Sequence, residues 1–259
     1  MQTSIVSADL CRLIGLAPTL EEAPGTWQFA LRRVATGDVL FRQGDVVRNL
    51  YVVRSGFFKS YYVRGAAEHV TAFSMTGDVL GMEGIGPNVH FVEAAALTDS
   101  EVATVPYALL ARTDAEPAFS AQVSQVLLTL LSRENARKCA LVSLLGYSSA
   151  TARVAAFLLS QGDAFARLGY SRSSFILPMR NTDIGSYLGL RGETVCRAFA
   201  VLKAEGLIER QLRSFVIKDE AGLRAVTEAD HRPVSSEQRV RSVRRPRPSF
   251  ARELTAWRS

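Results

Sequence analysis

Between Val34 and Tyr107 apolar residues recur at every second position in short runs, Val39 with Phe41 and Tyr51 with Val53. Period two is the side-chain repeat of a half-buried strand. Gly-Asp pairs at 37–38, 44–45 and 77–78, and further glycines at 56, 65, 81, 84 and 86, punctuate the segment. Glycine supplies the positive φ that tight turns require. Many short strands with frequent turns predict a sandwich or barrel, read here as an antiparallel roll of about seven or eight strands.

The period changes after Pro117, a residue suited to a first helical turn. Phe119, Val123, Val126, Leu127, Leu130 and Leu131 follow at spacings of three and four, and the stripe continues at Cys139 and Leu144. The pattern predicts a helix over 118–145, about 40 Å long. That is longer than the flank of one domain requires. The stripe reads either as packing on the roll or as a seam against a second copy of the same helix.

Beyond 150 the chain reads as a compact helical unit closed by strands. Ala150–Leu159 predicts a helix, Ser174–Met179 a strand, and Thr182 the cap of a short helix. Gly189-Leu190-Arg191 predicts a tight turn, followed by a helix to about Glu205, with Gly206 in the terminating position. Leu207–Lys218 has the pattern of a two-stranded wing. The expected division is a helical lead-in at 1–33, a roll at 34–115, a long helix at 116–147 and a helical unit closed by a wing at 148–222. Residues 231–259, rich in Arg, Pro, Ser and Val without periodicity, predict a disordered basic tail.

A chain of 259 residues with 47% hydrophobic and 22% charged side chains holds enough apolar material for one large or two ordinary domains. Its apolar runs break well before the roughly 20 residues of a membrane span, and the first 20 residues lack a signal-peptide pattern. Cys11, Cys139 and Cys196 form no C-x-x-C pair, which suits reduced thiols and a cytoplasmic location. The net charge of +6 resides in the tail, where eight arginines face Glu237 and Glu253. The first 230 residues then carry 23 basic and 23 acidic groups, yet residues 150–218 hold ten basic and five acidic ones. A basic segment inside the folded part points to a nucleic-acid partner more sharply than a tail that binds any polyanion.

On a helical wheel over 192–205, Val195, Ala198, Phe199 and Leu202 share one arc, and Ile184, Tyr187 and Leu188 supply the opposing stripe. Glu193, Cys196, Arg197 and Ala200 share the opposite arc. That set suits a reader of the DNA major groove, since arginine forks onto guanine O6 and N7 and glutamate accepts from the cytosine N4 amine. Arg180, Thr182, Thr194 and Arg213 lie at helix starts or on the wing, where hydroxyls and cations hold phosphates. On the residues alone, Glu193 and Arg197 also read as an exposed i,i+4 pair.

TDIGSYLGL (182–190) followed by GETVCRAFAVLKAEGLI (192–208) resembles the helix-turn-helix of the Crp/Fnr family of bacterial transcription regulators, closest to its fumarate–nitrate reduction regulator and FixK-like branch. The resemblance extends to GDVLFRQGD (37–45), LYVVRSGFFKSY (50–61) and TGDVLGMEGIG (76–86), and covers roughly residues 30–218. It implies an α+β fold: a cyclic-nucleotide-binding-type antiparallel β jelly roll, a long dimerisation helix and a C-terminal winged helix-turn-helix. It also implies a homodimer on a palindromic double-stranded DNA site and activation through contact with RNA polymerase. The branch carries E-x-x-S-R on its recognition helix, matched by Glu193, Cys196 and Arg197 with cysteine in place of serine. The cyclic-AMP receptor branch has an arginine before the glutamate, where this chain has Gly192. A half-site resembling TTGA rather than TGTGA is therefore expected.

No cofactor is predicted. An iron–sulfur cluster of the branch's kind needs four thiolates, three of them near the N-terminus, and only Cys11 lies there. Cyclic-AMP sensors of the family use an arginine-serine pair, and the corresponding stretch 81–96 has Glu83 but neither arginine nor serine. Haem needs an axial ligand, for which His69 and His90 are the candidates in the roll, each also reading as a structural histidine. Cys196 would switch DNA binding off if oxidised to a charged acid, or it simply replaces serine. With three histidines, one of them in the tail, and no nucleophile elbow, P-loop or dinucleotide fingerprint, neither a metal site nor an enzyme is expected. The alternatives are a cyclic-nucleotide-type ligand-binding module acting on a partner protein, and a ligand-gated repressor responding to a small molecule or haem-bound gas.

Overall fold

A computed structural model of the chain describes residues 4–16, 27–65, 67–110 and 117–230. The expected tail at 231–259 and the side chain of Phe119 lie outside the described residues. The order is β1 (Ser4–Val6), α1 (Ser7–Leu13), β2 (Gln28–Val34), β3 (Val39–Phe41), β4 (Asn49–Ser55), β5 (Phe57–Arg64), β6 (Ala67–Met75), β7 (Val79–Leu80), β8 (Glu93–Ala96), β9 (Ser100–Pro106) and α2 (Tyr107–Leu110). The long α3 (Pro117–Leu145) leads to α4 (Ala150–Arg167), β10 (Ser174–Ile176), α5 (Asn181–Leu188), α6 (Gly192–Ala204), β11 (Ile208–Gln211), β12 (Ser214–Ile217) and α7 (Glu220–Asp230).

Two antiparallel sheets, ordered β1-β2-β9-β4-β7 and β3-β8-β5-β6, form the roll. The lead-in, expected to be helical, supplies two of these strands and one helix among its described residues. Tyr51 and Val53 turn into the inter-sheet core with Phe41, Phe58 and Val102. Leu50 and Val52 face the other way, into a second core with Leu10, Phe29 and Val105. Strand β4 is thus buried on both faces, where period two alone suggested one, because α1, α2 and α3 cover the outer side of its sheet. The Gly-Asp turns do what their residues dictate. Gly77 holds φ +86°, and Asp78 accepts the Met75 backbone N–H at 2.9 Å.

The apolar stripe of α3 divides between two environments, which corrects the seam expected from sequence. Val123 is buried, and Leu127 and Leu130 pack on the roll's outer core, with Val126 beside them. Among the expected seam residues with described side chains, Leu131 alone is exposed, at 42%. The free face instead carries Leu128, Leu131, Val142 and Leu145, with Asn135 and Lys138 between them, in a three-four alternation. The roll needs an apolar covering for its outer sheet, and the inner half of the stripe supplies it.

The C-terminal unit packs Phe157, Leu177, Ile184, Leu188, Phe199, Leu202, Phe215 and Leu223 into one core. Helix α4 runs eight residues past the expected end, and α7, not anticipated, closes the unit beyond residue 222. The Asp230 carboxylate at the end of α7 accepts hydrogen bonds from the Ser148 hydroxyl and the Ser149 backbone N–H at the start of α4. No described helix is long and apolar enough to cross a membrane.

Candidate nucleic-acid interface

Two glycines set the angle between α5 and α6. Gly189 ends α5 with φ +64°, the left-handed conformation that stops a helix. A Cβ on Gly185 would stand 2.7 Å from the Leu190 carbonyl oxygen, so α5 approaches the turn more closely than any side chain permits. The helix starts at Asn181, with Arg180 rather than Thr182 at the cap position, and the Asp183 carboxylate accepts the Arg180 backbone N–H at 3.1 Å. Gly192 is less confined, since an added Cβ would lie 3.2–3.3 Å from Thr182 atoms, a tight contact that a small shift relieves.

Val195, Ala198, Phe199 and Leu202 are all buried, so the opposite face of α6 must look outward. It does: Arg197 is 78% exposed and Glu193 85%, with Cys196 exposed between them. The two charges meet at 3.5 Å, an exposed pair worth little and easily exchanged for other partners. Thr182 is exposed beside Arg180 at the start of α5, and Thr194 is half-buried. Arg213 is exposed at the wing turn.

Arg210, which sequence reasoning did not single out, locks this surface together. Its guanidinium lies 4.5 Å from the Phe199 ring and 5.1 Å from the Phe215 ring. It donates to Asn181 Oδ1 at 2.9 Å through Nη2 and to the Leu212 carbonyl at 3.2 Å through Nε. Burial lowers its pKa from the ordinary arginine value. Phe199 and Phe215 lie eleven and five residues from Arg210 in the chain, so no adjacent aromatic marks the stack in the sequence.

A second set, also missed, joins the helix-turn-helix to the roll. Buried Lys59 on β5 donates to Asp183 Oδ1 at 3.1 Å and to the Glu68 carboxylate. The Ser186 hydroxyl accepts the Val70 N–H and donates to the Glu68 carbonyl, both at 2.9 Å, covering the open edge of β6. The Tyr187 ring packs 5.1 Å from Phe73 and 6.0 Å from Phe157. The partners that cross between α5 and the roll stand more than a hundred residues apart, so no local pattern marks them.

His69 and His90 lie in the roll, not on α6 or the wing. His90 is buried, stacked 3.8 Å from Phe41, and its Nδ1 meets Glu83 Oε1 at 3.0 Å. His69 is on the surface, stacked on Tyr62. Among the described residues no group of three or more His, Cys, Asp or Glu is placed to hold a metal ion.

A double-sheet roll, a long helix and a winged helix-turn-helix with an outward Glu/Arg face define a DNA-binding transcription regulator. The Crp-like helix-turn-helix domain is matched by residues 152–226 and the cyclic nucleotide-binding domain by residues 31–113. The chain is 33% identical to the transcriptional activator protein FnrA of Stutzerimonas stutzeri, over 75% of this chain and 79% of that one. It is 32% identical to the fumarate and nitrate reduction regulatory protein of Salmonella typhimurium, over 74% and 76% of the two chains. The solved structure of FixK2 from Bradyrhizobium japonicum matches with a TM-score of 0.68 at 27% identity, over 76% of this chain and 96% of that one. The chain belongs to the Crp/Fnr family of transcription regulators.

Proposed function

We propose that this regulator is a cytoplasmic homodimer that reads a palindrome of TTGA-like half-sites and activates transcription in contact with RNA polymerase. The observation that carries the reading is the outward face of α6, where Glu193 and Arg197 stand exposed on a helix whose other face is locked in the core. Arg197 reads the guanine through O6 and N7, and Glu193 accepts from the cytosine amine of the opposite strand. Cys196 stands between them in place of serine. Arg180, Thr182 and Thr194 hold phosphates and set the register, and Arg213 reaches the DNA from the wing. The dimer forms along the exposed heptad of α3, with Leu128, Leu131, Val142 and Leu145 as its apolar positions and Asn135 fixing the register.

The family's cyclic-nucleotide site does not fit the residues present. The stretch 81–96 offers a cyclic phosphate no cation, and Glu83 already meets His90. Three cysteines on separate elements do not supply the four thiolates of an iron–sulfur cluster. His90, stacked on Phe41 and bound to Glu83, has a structural role rather than that of a haem ligand.

Fluorescence anisotropy with the full chain tests the base-reading assignment. Arg197→Lys loses the bidentate fork, and affinity for a TTGA palindrome falls about 5- to 150-fold for each half-site while affinity for random duplex stays unchanged. An equal fall on both duplexes would make Arg197 a phosphate contact and contradict the reading.

A further inference from the structure

The wing turn holds a residue that folding does not explain. Gln211 and Ser214 are paired, leaving Leu212 and Arg213 as a two-residue turn. Leu212 has φ +54°, where a hairpin of this kind ordinarily takes glycine. Among the described residues only Asn88 shares a positive φ without being glycine, and asparagine tolerates that region where leucine does not. The Leu212 side chain is also 91% exposed, so it buries nothing in return for the strain. A strained, exposed apolar side chain points to a contact made outside the fold.

The tip is held in place. Arg210 binds the Leu212 carbonyl, reaches Asn181 at the start of α5, and stacks on Phe199 of α6. Leu212 therefore keeps a fixed position relative to the base-reading helix. The four residues of the turn, Gln211 to Ser214, carry one charge, the cation of Arg213. An apolar side chain next to an arginine on a rigid tip suits one groove in particular. The major groove is filled by α6, and an arginine is drawn to the negative potential of a narrow A·T-rich minor groove. Leucine packs there against base edges wherever the guanine N2 amine is absent.

We propose that Leu212 and Arg213 enter the minor groove flanking each half-site and confer a preference for A·T pairs there, outside the bases read by α6. This rests on the base-reading assignment of α6, and the experiment separates the two. Full-length wild type and Leu212→Gly are titrated against duplexes with a fixed TTGA palindrome and flanks that are A·T, G·C or inosine·cytosine. Inosine lacks the N2 amine while keeping the O6 and N7 face of guanine, so it isolates the minor groove. Wild type is expected to bind A·T and inosine·cytosine flanks about tenfold tighter than G·C flanks, in line with the usual cost of a mismatched pair. In Leu212→Gly the difference shrinks to within about twofold while the preference for the TTGA core persists, and its melting temperature is equal or higher because glycine relieves the strain.

A flank preference retained by Leu212→Gly, G·C and inosine·cytosine flanks that bind alike, or a fall in its melting temperature would each overturn the proposal. A wild-type protein that does not distinguish a TTGA core from a scrambled one would instead refute the reading of α6.

Discussion

The ion pair between roll and helix-turn-helix gives a large and separable effect. Lys59→Met removes the ammonium but keeps much of the side chain's bulk, leaving Asp183 buried with its charge facing an apolar group. Breaking a buried pair from one side costs about 3 to 5 kcal/mol. Asp183 keeps the Arg180 N–H at 3.1 Å, and the Arg180 guanidinium stands 3.5 Å away, so the lower end applies. A loss of about 3 kcal/mol lowers the melting temperature of a chain this size by about 6 to 12 °C. Adding Asp183→Asn removes the stranded charge while its amide oxygen still caps α5, so the double variant recovers most of the loss. Calorimetry on wild type, both single variants and the double variant closes a cycle whose coupling energy reads the pair directly. Single-variant costs that simply add, or a Lys59→Met protein within about 0.5 kcal/mol of wild type, would refute the link.

Three further outcomes follow from the same geometry. Leu131→Glu with Val142→Glu places charges in the exposed heptad of α3 and shifts the protein to monomer in analytical ultracentrifugation; a variant that stays dimeric puts the seam elsewhere. Burial, and then the Glu93 carboxylate that its hydroxyl meets at 3.0 Å, push Tyr61 up to about 12. The fold favours its protonated form, so its stabilisation is complete below the ordinary phenol pKa of about 10 and is lost as pH rises toward about 12; a near-ultraviolet titration should show a late phenolate that Tyr61→Phe abolishes. The Ser148 hydroxyl, followed by the Ser149 N–H, holds the Asp230 carboxyl below its usual range. That stabilisation is present above a pH of about 3.9 and fades as pH falls further, and Asp230→Asn should remove this part of the acid limb.

The recognition helix was legible because its two faces obey different rules. Val195, Ala198, Phe199 and Leu202 follow the helical period, and the period assigns Glu193, Cys196 and Arg197 to the outside. The long helix was legible as a helix but not in its partition, because the stripe of α3 serves two partners and sequence does not say which arc meets which. Lys59, Asp183 and Ser186 were illegible for a different reason. A buried lysine looks like any other lysine until tertiary structure brings its carboxylates to it. Helix α7 carried a usable signal in Asp219, whose carboxylate accepts the Gly222 N–H in the manner of a helix cap.

Selection of bound sites from random duplex DNA by the full-length protein tests the central claim most directly. The account predicts enrichment of a palindrome with two TTGA-like half-sites about one helical turn apart, centre to centre, and loss of the guanine preference in Arg197→Lys. Enrichment of TGTGA half-sites, or no enrichment over random sequence, would contradict it.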